Sequence, residues 1–171
     1  MNFSLFNRNT KNRGFSLIEV VVSATIFIVA MLGVTALISL NIVNAALLRN
    51  RLIAANLAQE GIEIVRNIRD NNFLAPEDPP VPWDQNLNNG DWRVAYDSQT
   101  LLSWNNQPLR FHSSSGLFDY NPSGGEGSIF RRTINIQRIN SNEIRVTSTT
   151  RWEERGRNFF LEAEHHLFNW K

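Results

Sequence analysis

Between Arg13 and Arg49 the chain carries one ionisable side chain, Glu19. The run so bounded, residues 14–48, is longer than the ~20 apolar residues that cross the hydrocarbon core of a bilayer as a helix. A segment of that kind has to be covered by lipid or by other apolar helices, because it has no polar face to turn to water. A lone carboxylate near its start then needs a partner or a route to solvent. Left unpaired in hydrocarbon it costs at least ~2.5–3.5 kcal/mol on insertion scales.

Ahead of the run lie Arg8, Lys11 and Arg13 with no acid, and then Gly14. A secretory signal places its small-residue cleavage site after its apolar stretch. Here the small residue comes first, so a cut after Gly14 would remove only residues 1–14 and keep the apolar segment as an anchor. The alternative is an uncleaved single-pass anchor with an incidental glycine. Basic residues flanking a span set its orientation. Arg8, Lys11 and Arg13 on one side against Arg49 and Arg51 on the other predict a cytoplasmic leader and an external C-terminal domain. A cut at Gly14–Phe15 would give Phe15 a free α-amino group one helical turn from Glu19. The ammonium of a neighbouring subunit would then satisfy that carboxylate and fix the register between subunits. Alternatively Glu19 snorkels to the interface, only ~6 Å away along the helix.

The string Gly14-Phe15-Ser16-Leu17-Ile18-Glu19-Val20-Val21-Val22-Ser23-Ala24 resembles the processing signature of type IV prepilins and pseudopilins. That pattern is Gly, an aromatic first residue, Ser or Thr, two aliphatic residues, Glu and an apolar run behind a short basic leader. The resemblance implies that a membrane aspartyl peptidase, which is also the methyltransferase, cuts at Gly14–Phe15 and N-methylates Phe15. It implies that Glu19 pairs with an adjacent subunit's N-terminus during assembly. Many major pilins carry a helix-bending Pro where this chain has Ala36, which points toward a minor subunit. The segment from Ala55 to Glu63, with Arg66 and Arg69, is similar to minor pilins of the V type and to type-I minor pseudopilins.

No proline occurs before Pro76, and helix formers continue past the apolar run. At 100° per residue, Asn56, Gln59, Glu60, Glu63, Arg66, Asn67 and Asp70 fall on one arc. Ile53, Ala54, Ala55, Leu57, Ala58, Ile62, Ile64, Val65 and Ile68 fall on the other, with Arg69 and Leu52 as exceptions. The apolar arc is wider than the ~100° stripe of a surface helix. A single helix from Phe15 to about Asp70, roughly 80 Å long, is predicted. Asn71-Asn72 and then Pro76, Pro79, Pro80 and Pro82 close it.

Roughly 100 to 120 residues then remain for one small head. Asp91–Asp97 alternates weakly and reads as a strand with Trp92, Val94 and Tyr96 on one face. Short strands are expected near Leu101–Trp104 and Leu109–Phe111 within a loop-rich stretch from Ser98 to Gly127. Phe130, Ile134 and Ile136 share a strand face that Arg132 interrupts. Ile144, Val146, Ser148, Thr150 and Trp152 alternate in the next strand, and Phe159, Leu161, Ala163 and Leu167 mark the last. Turns at Asn140-Ser141-Asn142 and Glu153–Arg157 make this an antiparallel meander with one buried face. The fold class is α+β and pilin-like: a long N-terminal helix, membrane-spanning in its first half, packed on a C-terminal antiparallel sheet. The segments expected are a leader over 1–14, a transmembrane and assembly half over 15–46, an amphipathic half over 47–72 and a head over 73–171.

The net charge is +1 and the leader contributes three positive charges, so the rest stands at −2. That balance makes no electrostatic case for nucleic-acid binding. Without cysteine there is neither a disulfide nor a thiolate metal site. Glu162, Glu164 and His166 have the i, i+2 spacing of ligands on one strand face, with His165 beside them, but an exposed polar strand face is the preferred explanation. Some pseudopilins hold calcium in a head loop; the acids Asp70, Glu77, Asp78, Asp84 and Asp91 have no matching spacing. The Ser113–Gly116 and Gly124–Gly127 loops lack the endings of phosphate or dinucleotide loops. Five tryptophans (83, 92, 104, 152 and 170) read as core and loop anchors rather than a binding surface. No metal, cofactor or catalytic residue is expected. The resulting expectation is a minor pilin or pseudopilin of a type IV pilus or type II secretion-like filament. Its expected partners are the prepilin peptidase/methyltransferase, inner-membrane assembly machinery, membrane lipid and other pilins. The rival readings are a membrane-tethered adhesin or DNA-binding tip, and a membrane-anchored enzyme.

Overall fold

The computed structural model describes residues 14–76 and 78–170. The expectations placed on Arg8, Lys11, Arg13 and Glu77 lie outside those residues. One helix, α1 (Leu17–Leu74), precedes eight strands. They are β1 (Gly90–Arg93), β2 (Leu102–Ser103), β3 (Arg110–His112), β4 (Leu117–Asp119), β5 (Glu126–Gly127), β6 (Arg131–Asn140), β7 (Glu143–Glu154) and β8 (Arg157–Phe168). The chain divides into two compact units, Met1–Ala45 and Ala46–Lys171.

Within the first unit the described chain is α1 up to Ala45, and its apolar side chains face outward. None of its most hydrophobic 18-residue window is buried. Thr25, Thr35 and Ser39 turn their hydroxyls back onto the carbonyls of Val21, Met31 and Thr35, which keeps these polar groups satisfied without water.

In the second unit, the rest of α1 covers one face of a five-stranded antiparallel sheet in the order β2-β1-β6-β7-β8. The α+β pilin-like arrangement is therefore present. Of the apolar arc, Ala54, Leu57, Ala58, Ile62, Ile64, Val65 and Ile68 are buried and Ile53 and Ala55 half-buried, while none of the polar-arc residues is buried. Leu52, an exception to the arc, stays exposed. The helix face packs in two groups. Ile62, Val65 and Ile68 meet Ile134, Ile136, Ile144, Val146 and Leu167. Nearer the start of this unit, Ala54 and Leu57 meet Leu109, Tyr120, Phe130 and Trp152.

The meander follows the predicted alternation. Ile144, Val146, Ser148, Thr150 and Trp152 are all buried on β7, which pairs with β6 on one side and β8 on the other. Arg155 and Gly156 both have positive φ, 54° and 70°, the conformation of the tight two-residue turn that matches strand twist.

Three elements depart from expectation. The helix runs past Asn71-Asn72 to Leu74, because Phe73 is buried in the core and Asn72 Nδ2 donates to the carbonyls of Trp83 and Gln85. Those bonds fasten the proline-rich segment to the helix end. Strand β1 stops at Arg93 rather than Asp97, since Ala95 N–H donates to Ser98 Oγ at 2.8 Å and Ser98 N–H to Ala95 O at 3.1 Å. That turn leaves Tyr96 exposed instead of on the buried face. The loop-rich stretch also holds β4 and β5, which flank β3 in a separate three-stranded sheet. These strands are too short for a period to show in the sequence.

Candidate assembly surface

Gly14, Phe15 and Ser16 precede the first helical turn, and Phe15 is 80% exposed. Helical bonding begins with Val20 N–H donating to Ser16 O at 3.2 Å. Ser16 and Glu19 thus stand at the two positions of a capping-box pair, a local signal that the hydropathy reading passes over. Glu19 lies in the first turn and is exposed, and among the described residues its carboxylate has no hydrogen-bond or ion-pair partner. Around and beyond it, Leu17, Ile18, Val20, Val21 and Val22 are all exposed. The structure therefore presents a continuous apolar helix surface with one exposed acid, unpaired among the described residues, at its start.

The head is held to α1 by a seam centred on Gly61. A Cβ at that position would sit 2.4 Å from Ser148 Oγ, 2.7 Å from Ile134 Cδ1 and 3.2 Å from Arg132 Cδ. Only hydrogen fits there, which explains an isolated glycine in a strong helical pattern. Arg132, read from the sequence as an interruption of its strand, is instead the polar centre of this seam. Its guanidinium donates to Leu57 O at 2.9 Å, Glu60 Oε1 at 3.1 Å and Val94 O at 2.5 Å, while Nε has no partner among the described residues. It therefore ties helix, sheet and the end of β1 together. Beside it, burial pushes the Tyr120 phenol above its ordinary pKa, against the pull of the Arg132 and Arg93 charges.

Removing one partner from a buried charge network typically costs ~3–5 kcal/mol, whereas an apolar residue of similar volume is often tolerated. Arg132→Ala is accordingly expected to destabilise the head by about that amount and Arg132→Met by much less. Thermal melting of the detergent-solubilised variants measures the difference. Equal losses would mean that packing, not the guanidinium network, sets the cost.

The other candidates separate. His165 and His166 point to opposite faces of β8. Arg66 Nη2 donates to His165 Nε2 at 3.1 Å, and burial followed by the Arg66 charge holds the His165 pKa below its ordinary value. His166 Nδ1 lies 2.6 Å from Glu143 Oε1 and its Nε2 lies 3.6 Å from Glu164, while Thr149 Oγ1 donates to Glu162 at 3.3 Å. Asp70 pairs with Arg69 at 2.7 Å, Asp84 with Arg138, and Asp91 accepts from Asn135 Nδ2 at 2.7 Å. Among the described residues no three His, Asp or Glu side chains converge on a metal-sized site. Of the tryptophans, Trp83 and Trp152 are core and Trp92 is half-buried, but Trp104 and Trp170 stand on the surface.

Residues 9–35 match the family model of the prokaryotic N-terminal methylation motif. The match supports a type IV pilin-like protein, a substrate of prepilin peptidase that assembles with other pilins. No curated protein and no solved structure matches the chain.

Proposed function

We propose that the chain is a minor pilin or pseudopilin, a structural subunit of a type IV pilus or type II secretion-like filament. In this reading it is made as an inner-membrane precursor with the head outside, cut between Gly14 and Phe15, and N-methylated on Phe15. Residues 1–14 are the leader, 15–46 the membrane and assembly half of the helix, 47–72 its amphipathic half and 73–171 the head. The inner-membrane machinery then moves the subunit into a filament, where its apolar helix packs on those of its neighbours and Glu19 pairs with an adjacent N-terminus. The observation that carries the reading is the methylation motif over residues 9–35, set at the start of a helix whose most hydrophobic stretch is wholly exposed among the described residues. The same motif favours a structural subunit over an enzyme.

Mass spectrometry of the mature chain from native membranes tests the central step. The expected N-terminus is a methylated Phe15. Residues 1–14 still attached, with no methylation, would sink the proposal.

A further inference from the structure

The edges of the two sheets are formed by β2, β8, β4 and β5. β2 and β5 have two residues each and β4 has three. β8 has twelve, paired to β7 on one side and to no strand among the described residues on the other. Proteins keep edges from joining foreign strands by shortening them, by proline or lysine, or by a bulge. The first device is used on the other edges. β8 lacks them all: it has no proline or lysine, and its register with β7 runs unbroken from Arg157 to Phe168.

The aim of its free backbone groups follows from one bond. Asn169 N–H donates to Asn142 O at 2.8 Å, one step beyond the Glu143–Phe168 pair. Antiparallel partners alternate between bonded and non-bonded pairs, so the odd-numbered residues of β8 bond to β7. The even-numbered ones, Asn158, Phe160, Glu162, Glu164 and His166, turn both N–H and C=O outward. Their side chains lie on the sheet face away from α1, since Leu167 of the odd set is buried in the core. On the helix side Phe159, Leu161 and Ala163 pack on the core yet stay half-buried. The edge is therefore a row of open peptide groups with an apolar strip along one side. Donors and acceptors at strand spacing are complementary to the backbone of another extended chain.

Charge decides which chain. Two copies of β8 pair antiparallel only about an axis normal to the sheet, which keeps like faces together. The two registers of fullest overlap then set Glu162 opposite Glu162 or opposite Glu164. Like charges directly opposite one another destabilise a sheet, so a second copy of this strand is a poor fit. Both carboxylates are exposed, and Glu162 accepts from Thr149 Oγ1 but has no ion pair among the described residues. They favour a basic residue on the incoming strand.

We propose that the open edge of β8 takes an added strand from another protein. The segment it fits is extended, with basic side chains on the face of Glu162 and Glu164 and apolar ones beside Phe159, Leu161 and Ala163. The proposal stands apart from the filament reading, and its test needs no filament.

The probe is a short synthetic peptide of alternating valine and lysine, added to the detergent-solubilised full chain. Amide hydrogen exchange is followed residue by residue along β8. At a peptide concentration about nine times its Kd, exchange at Phe160, Glu162 and Glu164 is expected to slow about tenfold. The odd-numbered amides, already bonded to β7, should change less. Glu162→Gln should weaken binding by up to about fivefold, the worth of one cross-strand charge pair. Glu162→Pro should abolish it, because proline is tolerated where an edge N–H faces solvent but cannot pair. No slowing at any peptide concentration overturns the proposal. So does equal slowing by a peptide methylated on alternate backbone nitrogens, which cannot form the ladder and needs no folded variant. Slowing that grows with chain concentration in the absence of peptide also overturns it, in favour of a second copy.

Discussion

Gly61→Leu is expected to destabilise the head by more than ~3 kcal/mol. Helix propensity alone would favour replacing a mid-helix glycine, by up to ~1 kcal/mol for alanine. Packing opposes this gain. The atoms that a Cβ would meet are Ser148 Oγ, a short buried side chain, Ile134 Cδ1 and the Cδ of Arg132. Arg132 cannot swing away without leaving Leu57 O, Glu60 and Val94 O. Overpacking a core costs ~1–3 kcal/mol even for small insertions. Gly61→Ala should therefore come out net destabilising by about 1 kcal/mol, and the three further carbons of leucine should exceed ~3 kcal/mol. In a thermal melt of the detergent-solubilised chain that corresponds to a fall of roughly 10 °C or more. If both variants melt with the wild type, helix and sheet are not in the close contact described.

The second large effect concerns assembly. Glu19→Ala and Glu19→Gln should be cut, methylated and inserted like the wild type, yet reach filaments about 100-fold less well. The figure follows from leaving the neighbour's N-terminal ammonium unpaired in apolar surroundings, at ~2.5–3.5 kcal/mol and 1.4 kcal/mol per factor of ten. Glutamine separates the charge from the local role of the side chain. A capping-box residue may be Glu or Gln, and an acid in the first turn adds only ~0.3–1 kcal/mol through the helix dipole. Immunoblots of sheared filament and membrane fractions, with the mature N-terminus checked by mass spectrometry, measure the ratio. Normal incorporation of both variants would mean that Glu19 reaches water instead of a neighbour.

Much of the fold is legible in the sequence because two periods are clean. The 3.6-residue arc from Ile53 to Ile68 separates buried from exposed side chains, and the alternation from Ile144 to Trp152 marks a buried strand face. The motif from Gly14 to Glu19 is equally plain, since residue order alone carries it. What escapes the sequence depends on tertiary contacts. Arg132 interrupts a hydrophobic pattern, and only the fold brings Leu57, Glu60 and Val94 round it. Gly61 looks like a weak point in a helix until Ser148 is placed against it. Strand β1 is cut short by a side-chain bond from Ser98, and β5 has just two residues, so neither leaves a periodic trace.

The outward-facing apolar half of α1 has a consequence for the direction of assembly. Lipid tails are about as apolar as leucine, so carrying these side chains from a bilayer into a bundle of like helices changes little in hydrophobic free energy. The hydroxyls of Thr25, Thr35 and Ser39 do not alter that balance, since their own helix already satisfies them. In the proposed filament, then, oil-like contact holds a subunit equally well on either side of the transfer and cannot drive it. Growth would be nearly reversible along this helix, and an external motor together with a few polar contacts would decide whether a subunit enters the filament or returns to the membrane.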